Sequence, residues 1–405
     1  MLSTVKLKIK KTVQKTGLLP ERKRRKVCFI ITNRIHLARQ QILLDQLRTD
    51  PEIELQLVVG GAALLDKYSK VMPWLGKKGF IVHEQMLNLI EGGNHAAMAK
   101  TAGLAVLELT NTLQKLNPDI VLIRGDRFEQ LAAAMTAAYL NKTVAHIEGG
   151  DVTGTIDESV RHAITKLSHI HLVTNDDAYK RVLQMGENPA YVFNVGSPDI
   201  EFAAHVERRI DADMLNRIGV GGYIDFKKPY LMVIQHPVTS EKDNRKNILE
   251  TLAAIRETGT QTLWFWPNPD AGTDEISNGI RTFREHNPVP NIRFIIDVDP
   301  WDFIALLRHT KCLVGNSSSG IKEASFFGVP VVNIGSRQQG RSRAENVMDV
   351  GYDAEDIKSA IEKQVVHGLY QQSLIYQKPQ TSKMIRHVLK TAPLYTQKRF
   401  FDKGH

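Results

Sequence analysis

Two successive series of short apolar runs, separated by longer amphipathic stretches, dominate the 405-residue chain. The runs are rich in Val, Ile and Leu, which is typical of strands that are buried on both faces. Because such strands alternate with helices, the pattern predicts an α/β protein with parallel sheets covered by helices. The predicted strands are 26–32, 54–60, 119–124, 143–148, 170–174 and 191–195 in the first series, and 230–235, 262–266, 292–296, 311–314 and 330–334 in the second.

The alternation is interrupted at 200–228, where a helix-like stretch at 200–218 gives way to Gly219-Val-Gly-Gly222 and a polar segment. The chain is also about twice as long as one hydrophobic core usually supports. We therefore expect two Rossmann-like doubly wound domains with the active site in the cleft between them. The predicted parts are a basic tail at 1–25, a first domain at 26–218, a second domain at 219–381, and a C-terminal helix and tail at 382–405 that pack back on the first domain.

The net charge of +9 is concentrated in residues 1–25, which hold nine Lys or Arg and a single acid, Glu21. We interpret this tail as a solvated extension, or as a weak binder of anionic surfaces. No nucleic-acid partner is predicted, because no RNA- or DNA-binding motif accompanies the charge. No uncharged apolar run approaches the roughly 20 residues that cross a bilayer, so stable membrane insertion is not expected. Two separated cysteines, Cys28 and Cys312, exclude a disulfide scaffold and suit a cytoplasmic protein.

Charged clusters follow two strands of the first series, at the edge where α/β sheets bind ligands. Gly125-Asp126-Arg127 follows the strand at 119–124, and Asp126 is either a helix cap or a functional acid. The segment 146–162 collects four acids and two histidines on a glycine-containing loop, and it includes Glu148 and Asp157. Acids this close raise one another's pKa, which favours general acid/base groups over a capped helix with solvated acids.

The strands of the second series are followed by groups that suit phosphate. His236 is either a structural histidine or a group that faces the cleft. Gly315-Asn-Ser-Ser-Ser-Gly320 lies between a strand and a helix, which is an anion-binding arrangement or an ordinary helix cap. The segment 335–343 carries three arginines, which form a second phosphate clamp or a solvated loop. The segment 297–299, Asp-Val-Asp, is interpreted as a helix cap, and no metal or cofactor is predicted.

A phosphate cradle in one domain and carboxylates in the other suggest a sugar nucleotide as ligand, and several motifs strengthen that suggestion. Over residues 26–390 the chain resembles the hydrolysing UDP-N-acetylglucosamine 2-epimerases. The motifs that carry the resemblance are Gly125-Asp-Arg-Phe-Glu129, His146-Ile-Glu-Gly-Gly150, the segment 154–169, Gln235-His-Pro-Val238, Pro267-Asn268 with Asp270-Ala-Gly272, Gly315-Asn-Ser-Ser-Ser-Gly320 and Arg337-Gln-Gln-Gly-Arg341. Non-hydrolysing relatives carry a Gly-Asp-Thr motif where this chain has Gly125-Asp126-Arg127.

The resemblance implies a glycosyltransferase-B-like fold and a reaction that begins the route to sialic acid and related acids. UDP-N-acetylglucosamine and water would become N-acetylmannosamine and UDP, by elimination of UDP and hydration of a 2-acetamidoglucal. It also implies a UDP-sugar as the partner, no cofactor, and a homodimer or homotetramer. The implied catalytic residues are Asp126, Glu148, Asp157 and His236, and the implied substrate-binding residues are Arg34, Arg127, Asn268, Ser317, Ser318, Glu323, Arg337 and Arg341.

The chain departs from the family pattern in the loop at 32–37, which reads Thr-Asn-Arg-Ile-His-Leu where the family has Gly-Thr-Arg-Ala-Asp-Tyr. Trp266-Pro-Asn-Pro269 likewise replaces the usual Tyr-Pro-Asn-Ala. These departures leave open the same chemistry on a UDP-diacetamido-trideoxyhexose or on GDP-N-acetylglucosamine. A glycosyltransferase of the same architecture is a rival, but it would not need three cleft carboxylates. A non-catalytic nucleotide-sugar sensor should have lost those acids.

Overall fold

The computed structural model describes residues 24–65, 70–207, 209–267 and 270–402. The first sheet has seven parallel strands in the order β3-β2-β1-β4-β5-β6-β7. Its strands are β1 (Arg25–Ile31), β2 (Ile53–Gly60), β3 (Val82–Met86), β4 (Ile120–Arg124), β5 (Thr143–Ile147), β6 (Ile170–Val173) and β7 (Val192–Asn194).

The second sheet has the order β14-β13-β12-β9-β10-β11-β8, and all of its pairs are parallel except β8 with β11. Its strands are β8 (Val220–Gly221), β9 (Leu231–Ile234), β10 (Thr262–Phe265), β11 (Ile292–Ile295), β12 (Cys312–Gly315), β13 (Val331–Ile334) and β14 (Val347–Val350). The predicted two-domain α/β fold is thereby confirmed. None of the helices in the described part of the chain has the length and apolar surface that a membrane crossing needs.

Sixteen α-helices connect and cover the strands of the described residues. They are α1 (Arg34–Ala38), α2 (Gln41–Thr49), α3 (Val71–Lys77), α4 (His95–Leu116), α5 (Phe128–Tyr139), α6 (Ile156–Leu167), α7 (Asp176–Gln184), α8 (Pro198–Ala204), α9 (Ala212–Arg217), α10 (Asn244–Thr258), α11 (Thr273–His286), α12 (Pro300–His309), α13 (Ser318–Ile321), α14 (Glu323–Phe327), α15 (Ala354–His367) and α16 (Thr381–Thr391). Short 3-10 helices lie at Gly61–Leu64 and Pro189–Tyr191.

Strand order fixes where a ligand can enter. In the first sheet, β2 and β3 are added on one side of β1, whereas β4 to β7 are added on its other side, so the strand order switches between β1 and β4. In the second sheet the same switch lies between β9 and β12. The carboxyl ends of strands at such a switch point leave a crevice between the loops on either side. The loops that begin at Thr32, Gly125, Gln235 and Asn316 therefore surround one place, and they hold most of the residues singled out above.

Three sequence-based assignments were wrong in detail. The amphipathic stretch at 35–48, whose pattern predicts one helix, is interrupted near Arg39 and forms α1 and α2. The stretch at 200–218 forms α8 and α9 rather than one helix, and the C-terminal helix, whose pattern predicts an end at Arg399, ends at Thr391. The edge strands β3, β8 and β14 were missed, because β3 and β14 are only partly buried, β8 is exposed, and none shows the continuous apolar run of a central strand.

The chain crosses between the two cores at α8 and again before α16. Phe202 and Leu215 pack with Met232 in the core of the second sheet. Ile385 and Leu389 of α16 pack in the core of the first sheet. The chain therefore crosses between the two halves twice, and buried side chains flank each crossing.

Candidate active site

Two adjoining cavities lie at the crevice between the sheets. One has a volume of about 120 Å³ and is surrounded mainly by charged groups. The other has a volume of about 780 Å³ and has largely apolar walls, including Trp74, Phe265 and Phe303. Arg39, Ser318 and Arg337 border both cavities, so the two form one continuous site.

The small cavity brings together residues that follow β1, β4, β5 and β7 of the first sheet and β9, β10, β12 and β13 of the second. Its charged lining residues are Arg39, Arg124, Asp126, Arg127, Glu148, Asp157, Arg161, Asp199, Asp270, Lys322, Arg337 and Arg341. Asp126, Glu148 and Asp157, the three predicted catalytic acids, all lie here. A small cavity with acids of this density can hold a neutral polar group and exchange protons with it.

Asp126 and Asp157 differ in the charge that their surroundings favour. Asp126 does not cap α5, because that helix follows Arg127 and has no side-chain cap. Burial would raise the pKa of Asp126, but its hydrogen-bond partner Arg161 and the nearby Arg341 bring it below its usual value. Burial and the Asp126 carboxylate raise the pKa of Asp157. Neighbouring carboxyl groups whose pKa values are pushed apart form the usual arrangement of a base beside an acid.

Glu148 is held differently. It follows β5 with φ of 74°, a left-handed conformation that is costly for a residue with a side chain. Arg124 Nε lies 3.2 Å from one carboxylate oxygen, and Lys322 Nζ donates a hydrogen bond to the other. Burial would raise the pKa of Glu148, but Arg124 and Lys322 lower it well below its usual value. Glu148 is thus an ionised group across the working range of pH.

Arg127 connects the two domains instead of lying free in the cavity. Its Nη1 donates to Asp270 at 2.7 Å, and its Nε donates to Glu129 at 3.2 Å. Asp270 belongs to the loop after β10, so this ion pair crosses the crevice. A second contact crosses nearby, where the Gly154 N–H donates to the Arg337 carbonyl at 3.2 Å.

The groups predicted to hold phosphate border the larger cavity. His236, Ser317, Ser318, Arg337 and Arg34 all line it. Arg337 Nη1 donates to the Asn316 carbonyl at 3.1 Å, which keeps the guanidinium beside the serine turn. Burial, reinforced by the positive charge of Arg337, lowers the pKa of His236 to about 3. His236 is therefore neutral and can donate a hydrogen bond without carrying charge.

Two of these predictions need amendment. The helix after the serine turn, α13, ends at Ile321, so the dipole of a long helix is not available there and the hydroxyl groups and Arg337 remain as anion-binding groups. Arg34 is engaged by Asp297, with 2.6 Å between Nη1 and the carboxylate. The predicted cap at 297–299 is borne out for Asp299, which accepts a hydrogen bond from the Trp301 N–H at the start of α12.

Two of the predicted substrate-binding residues, Glu323 and Arg341, do not border the larger cavity. Glu323 is 1% exposed, lines neither cavity and pairs with Arg39 at 2.8 Å, because the break between α13 and α14 turns it toward that residue. Arg341 borders the small cavity rather than the large one and lies 3.4 Å from Asp151, so it faces the carboxylates. Asn268 lies outside the described residues.

Sequence reasoning missed Arg124, Asp199 and Lys322. Arg124 ends an otherwise apolar strand, which is a detectable signal because a buried arginine needs an acid partner. Its partner Asp199, at 2.6 Å, has no such signal in the sequence. Lys322 stands inside a motif that was recognised only for its serines. No group of three or more His, Cys, Asp or Glu in the described ranges has a geometry that could hold a metal ion.

Comparisons with known proteins identify the family of this chain. The family model for UDP-N-acetylglucosamine 2-epimerase matches residues 45–390. A UDP-N,N'-diacetylbacillosamine 2-epimerase (hydrolyzing) from Legionella pneumophila is 33% identical over 374 residues, which cover 92% of this chain and 97% of that protein. A UDP-N-acetylglucosamine 2-epimerase from Neisseria meningitidis is 31% identical over 342 residues, covering 84% and 87%. The solved UDP-GlcNAc 2-epimerase from Methanocaldococcus jannaschii, in complex with UDP-GlcNAc and UDP, superposes with a TM-score of 0.76 at 17% identity over 90% of this chain and 99% of that one.

Proposed function

This chain belongs to the UDP-N-acetylglucosamine 2-epimerase family, and from that premise we propose that it is a hydrolysing 2-epimerase. It would convert UDP-N-acetylglucosamine and water to N-acetylmannosamine and UDP. The observation that supports this most is the meeting of Asp126, Glu148 and Asp157 in one small polar cavity that opens directly onto Ser318 and Arg337. Sugar chemistry and diphosphate departure can thus occur side by side.

The proposed reaction has two steps. A base removes the proton from C2, the C1–O bond breaks, its electron pair leaves with UDP, and a C1=C2 double bond forms. Water then adds its oxygen to C1, and a proton returns to C2 on the opposite face. Asp126, whose surroundings favour the ionised form, is suited to accept a proton. Asp157, whose pKa is raised, is suited to deliver one.

Glu148 and the groups around the diphosphate would stabilise charge. Positive charge develops at C1 as the C1–O bond stretches, and the negative charge of the ionised Glu148 carboxylate would stabilise it. Negative charge grows on the departing diphosphate, where Arg337 and the serine hydroxyls would compensate it. Neutral His236 would donate a hydrogen bond there.

A modified sugar is a second candidate substrate, favoured by the wall of the small cavity. Ile35 of the altered loop at 32–37 lines it together with Met98 and Phe128. His36 of that loop also lines the cavity, and its Nδ1 accepts a hydrogen bond from the Thr32 N–H at 3.2 Å, which orients the ring. An apolar wall suits a sugar that lacks a hydroxyl group, such as a UDP-linked 2,4-diacetamido-2,4,6-trideoxyhexose, and the Legionella relative is named for such a sugar.

The test is incubation of the full chain with each nucleotide sugar in turn, followed by ³¹P and ¹H NMR. We expect UDP and a free 2-epimeric sugar to appear in equal amounts. The rates with UDP-N-acetylglucosamine, the diacetamido-trideoxyhexose and GDP-N-acetylglucosamine rank the candidate substrates. Accumulation of a UDP-linked 2-epimer without free UDP would contradict the hydrolysing reaction.

A further inference from the structure

We propose that Lys322 is a positioning residue that reaches across the crevice from the second domain and fixes Glu148 as an ionised carboxylate. The role of Glu148 would then depend on closure of the two domains. This inference rests on the proposed function, because Glu148 has a catalytic role only in that reaction. Lys322 lies between α13 and α14 in the sequence.

The backbone brings Lys322 to this position. It separates α13 from α14 with φ of −97° and ψ of −77°, so the helix is interrupted where Lys322 stands. The side chain is 3% exposed, and its Nζ donates to Glu148 and lies 3.6 Å from Asp199. The ammonium group also lies 5.7 Å from the centre of the Tyr376 ring. Because these groups enclose it, the ammonium group of Lys322 has little contact with water.

The charges balance only when Lys322 is present. Arg124 approaches Glu148 at 3.2 Å and Asp199 at 2.6 Å, so one guanidinium serves two carboxylates. Lys322 supplies the second positive charge between the same two acids. Without it a buried carboxylate would be undercompensated, and a buried group of that kind takes up a proton instead.

The other groups that act on Glu148 do not replace this cation. Arg341 is nearby but pairs with Asp151, while Asp126 contributes a like charge to the same cavity. His36 is neutral, because burial and the nearby Arg124 lower its pKa to about 3. Burial raises the pKa of Tyr376, so this side chain is neutral as well. Together with Arg124, Lys322 is therefore a cation whose removal changes the ionisation of Glu148.

The consequence is a link between closure and chemistry. Glu148 follows β5 of the first sheet, whereas Lys322 lies between β12 and β13 of the second. When the crevice opens, the ammonium withdraws and Glu148 loses its second partner. Only the closed form would then present an ionised Glu148 to the sugar, so a substrate that does not draw the domains together would not be processed.

The first test compares Lys322→Met and Lys322→Arg with the unaltered enzyme in pH profiles of kcat and KM from pH 5 to 9. In Lys322→Met the acid limb of kcat should move up by at least one pH unit, with at least a tenfold loss at pH 6 that diminishes toward pH 9. KM should change less than kcat, and Lys322→Arg should restore the limb. Lys115→Met, at an exposed lysine of α4, is the matched control and should show the unaltered profile. A uniform loss at every pH would overturn the proposal in favour of a purely structural role.

The second test does not need turnover. Glutamate labelled with ¹³C at the side-chain carboxyl is titrated by NMR, and the Glu148 signal is identified by its loss in Glu148→Gln. We expect no titration of this signal between pH 5 and 8 in the unaltered protein, and titration within that range in Lys322→Met. The same curve in both proteins would overturn the inference, whether or not the enzyme turns over any nucleotide sugar. Absence of turnover with a shifted titration would instead reject only the proposed function.

Discussion

Replacement of Gly154 by Ala should separate the catalytic loops without touching a catalytic side chain. Gly154 lies between β5 and α6, and its backbone meets the loop after β13. A Cβ at this position would lie 2.0 Å from the Ser336 carbonyl oxygen, whereas real Cβ atoms essentially never come closer than 3.0 Å. The two loops would therefore have to move apart by about 1 Å, which breaks the hydrogen bond from Gly154 to the Arg337 carbonyl.

Arg337 borders both cavities, so this displacement acts on the diphosphate and the sugar together. A displacement of about 1 Å between catalytic groups and the substrate can lower the rate by about 10²-fold. We therefore expect kcat/KM for UDP release to fall by about 100-fold in Gly154→Ala, with weaker UDP binding in calorimetry. The measurement is steady-state release of UDP by the purified variant.

Gly103→Ala is the matched control. Gly103 lies in α4, and a Cβ there would meet no atom within 4 Å. This change should leave the kinetic constants unaltered and raise the free energy of unfolding by about 0.5–1 kcal/mol, because alanine is the better helix former. Gly154→Ala with kcat/KM within twofold of the unaltered enzyme would refute the view that these loops must touch in the productive state.

Three further predictions follow from the same geometry. Asp126→Asn and Glu148→Gln should each lower kcat by about 10²–10⁴-fold with nearly unchanged UDP affinity, as checked by kinetics and calorimetry; near-normal turnover in both would contradict their roles. Arg337→Met should weaken UDP binding by about 10- to 150-fold, since a charged hydrogen bond nets about 1.5–3 kcal/mol, and should raise KM and lower kcat together. Deletion of residues 1–23 should leave kinetic constants within about twofold while reducing salt-sensitive adsorption to anionic vesicles, and a large loss of turnover would place the tail at the cleft. Arg25 is kept in that deletion because it begins β1 and donates to carbonyl groups at the end of α16.

The fold was predictable because its central strands are buried on both faces. The segments 120–123 and 231–234 consist wholly of apolar residues, which is the composition expected of a strand that is covered on both faces. Edge strands such as β3 could not be predicted in this way. The sequence of β3, Val-His-Glu-Gln-Met, is mostly polar because the strand is only partly buried. The breaks in α1–α2 and α13–α14 were likewise unpredictable, because they arise from tertiary contacts of residues such as Arg39 and Lys322.

The site was predictable in part for a different reason. Asp126 and Glu148 stand beside glycines in loops after strands, and Asp157 lies in the first turn of the helix that follows such a loop; at these places unusual residue types indicate chemistry rather than packing. Contacts between side chains on opposite sides of the crevice could not be predicted from the sequence. The turn of Glu323 toward Arg39 and the approach of Lys322 to Glu148 join residues separated by well over one hundred positions, and only the packing of the two domains brings them together.

The central claim is that the enzyme eliminates UDP by removing the C2 proton and then adds water to the resulting double bond. Its most direct test is the reaction of UDP-N-acetylglucosamine, or of whichever nucleotide sugar reacts fastest, in D₂O that contains ¹⁸O-enriched water, followed by NMR and mass spectrometry. The account predicts a free 2-epimeric sugar with one deuterium at C2, together with UDP that carries no ¹⁸O. Free sugar that keeps its hydrogen at C2, or ¹⁸O in the released UDP, would contradict it.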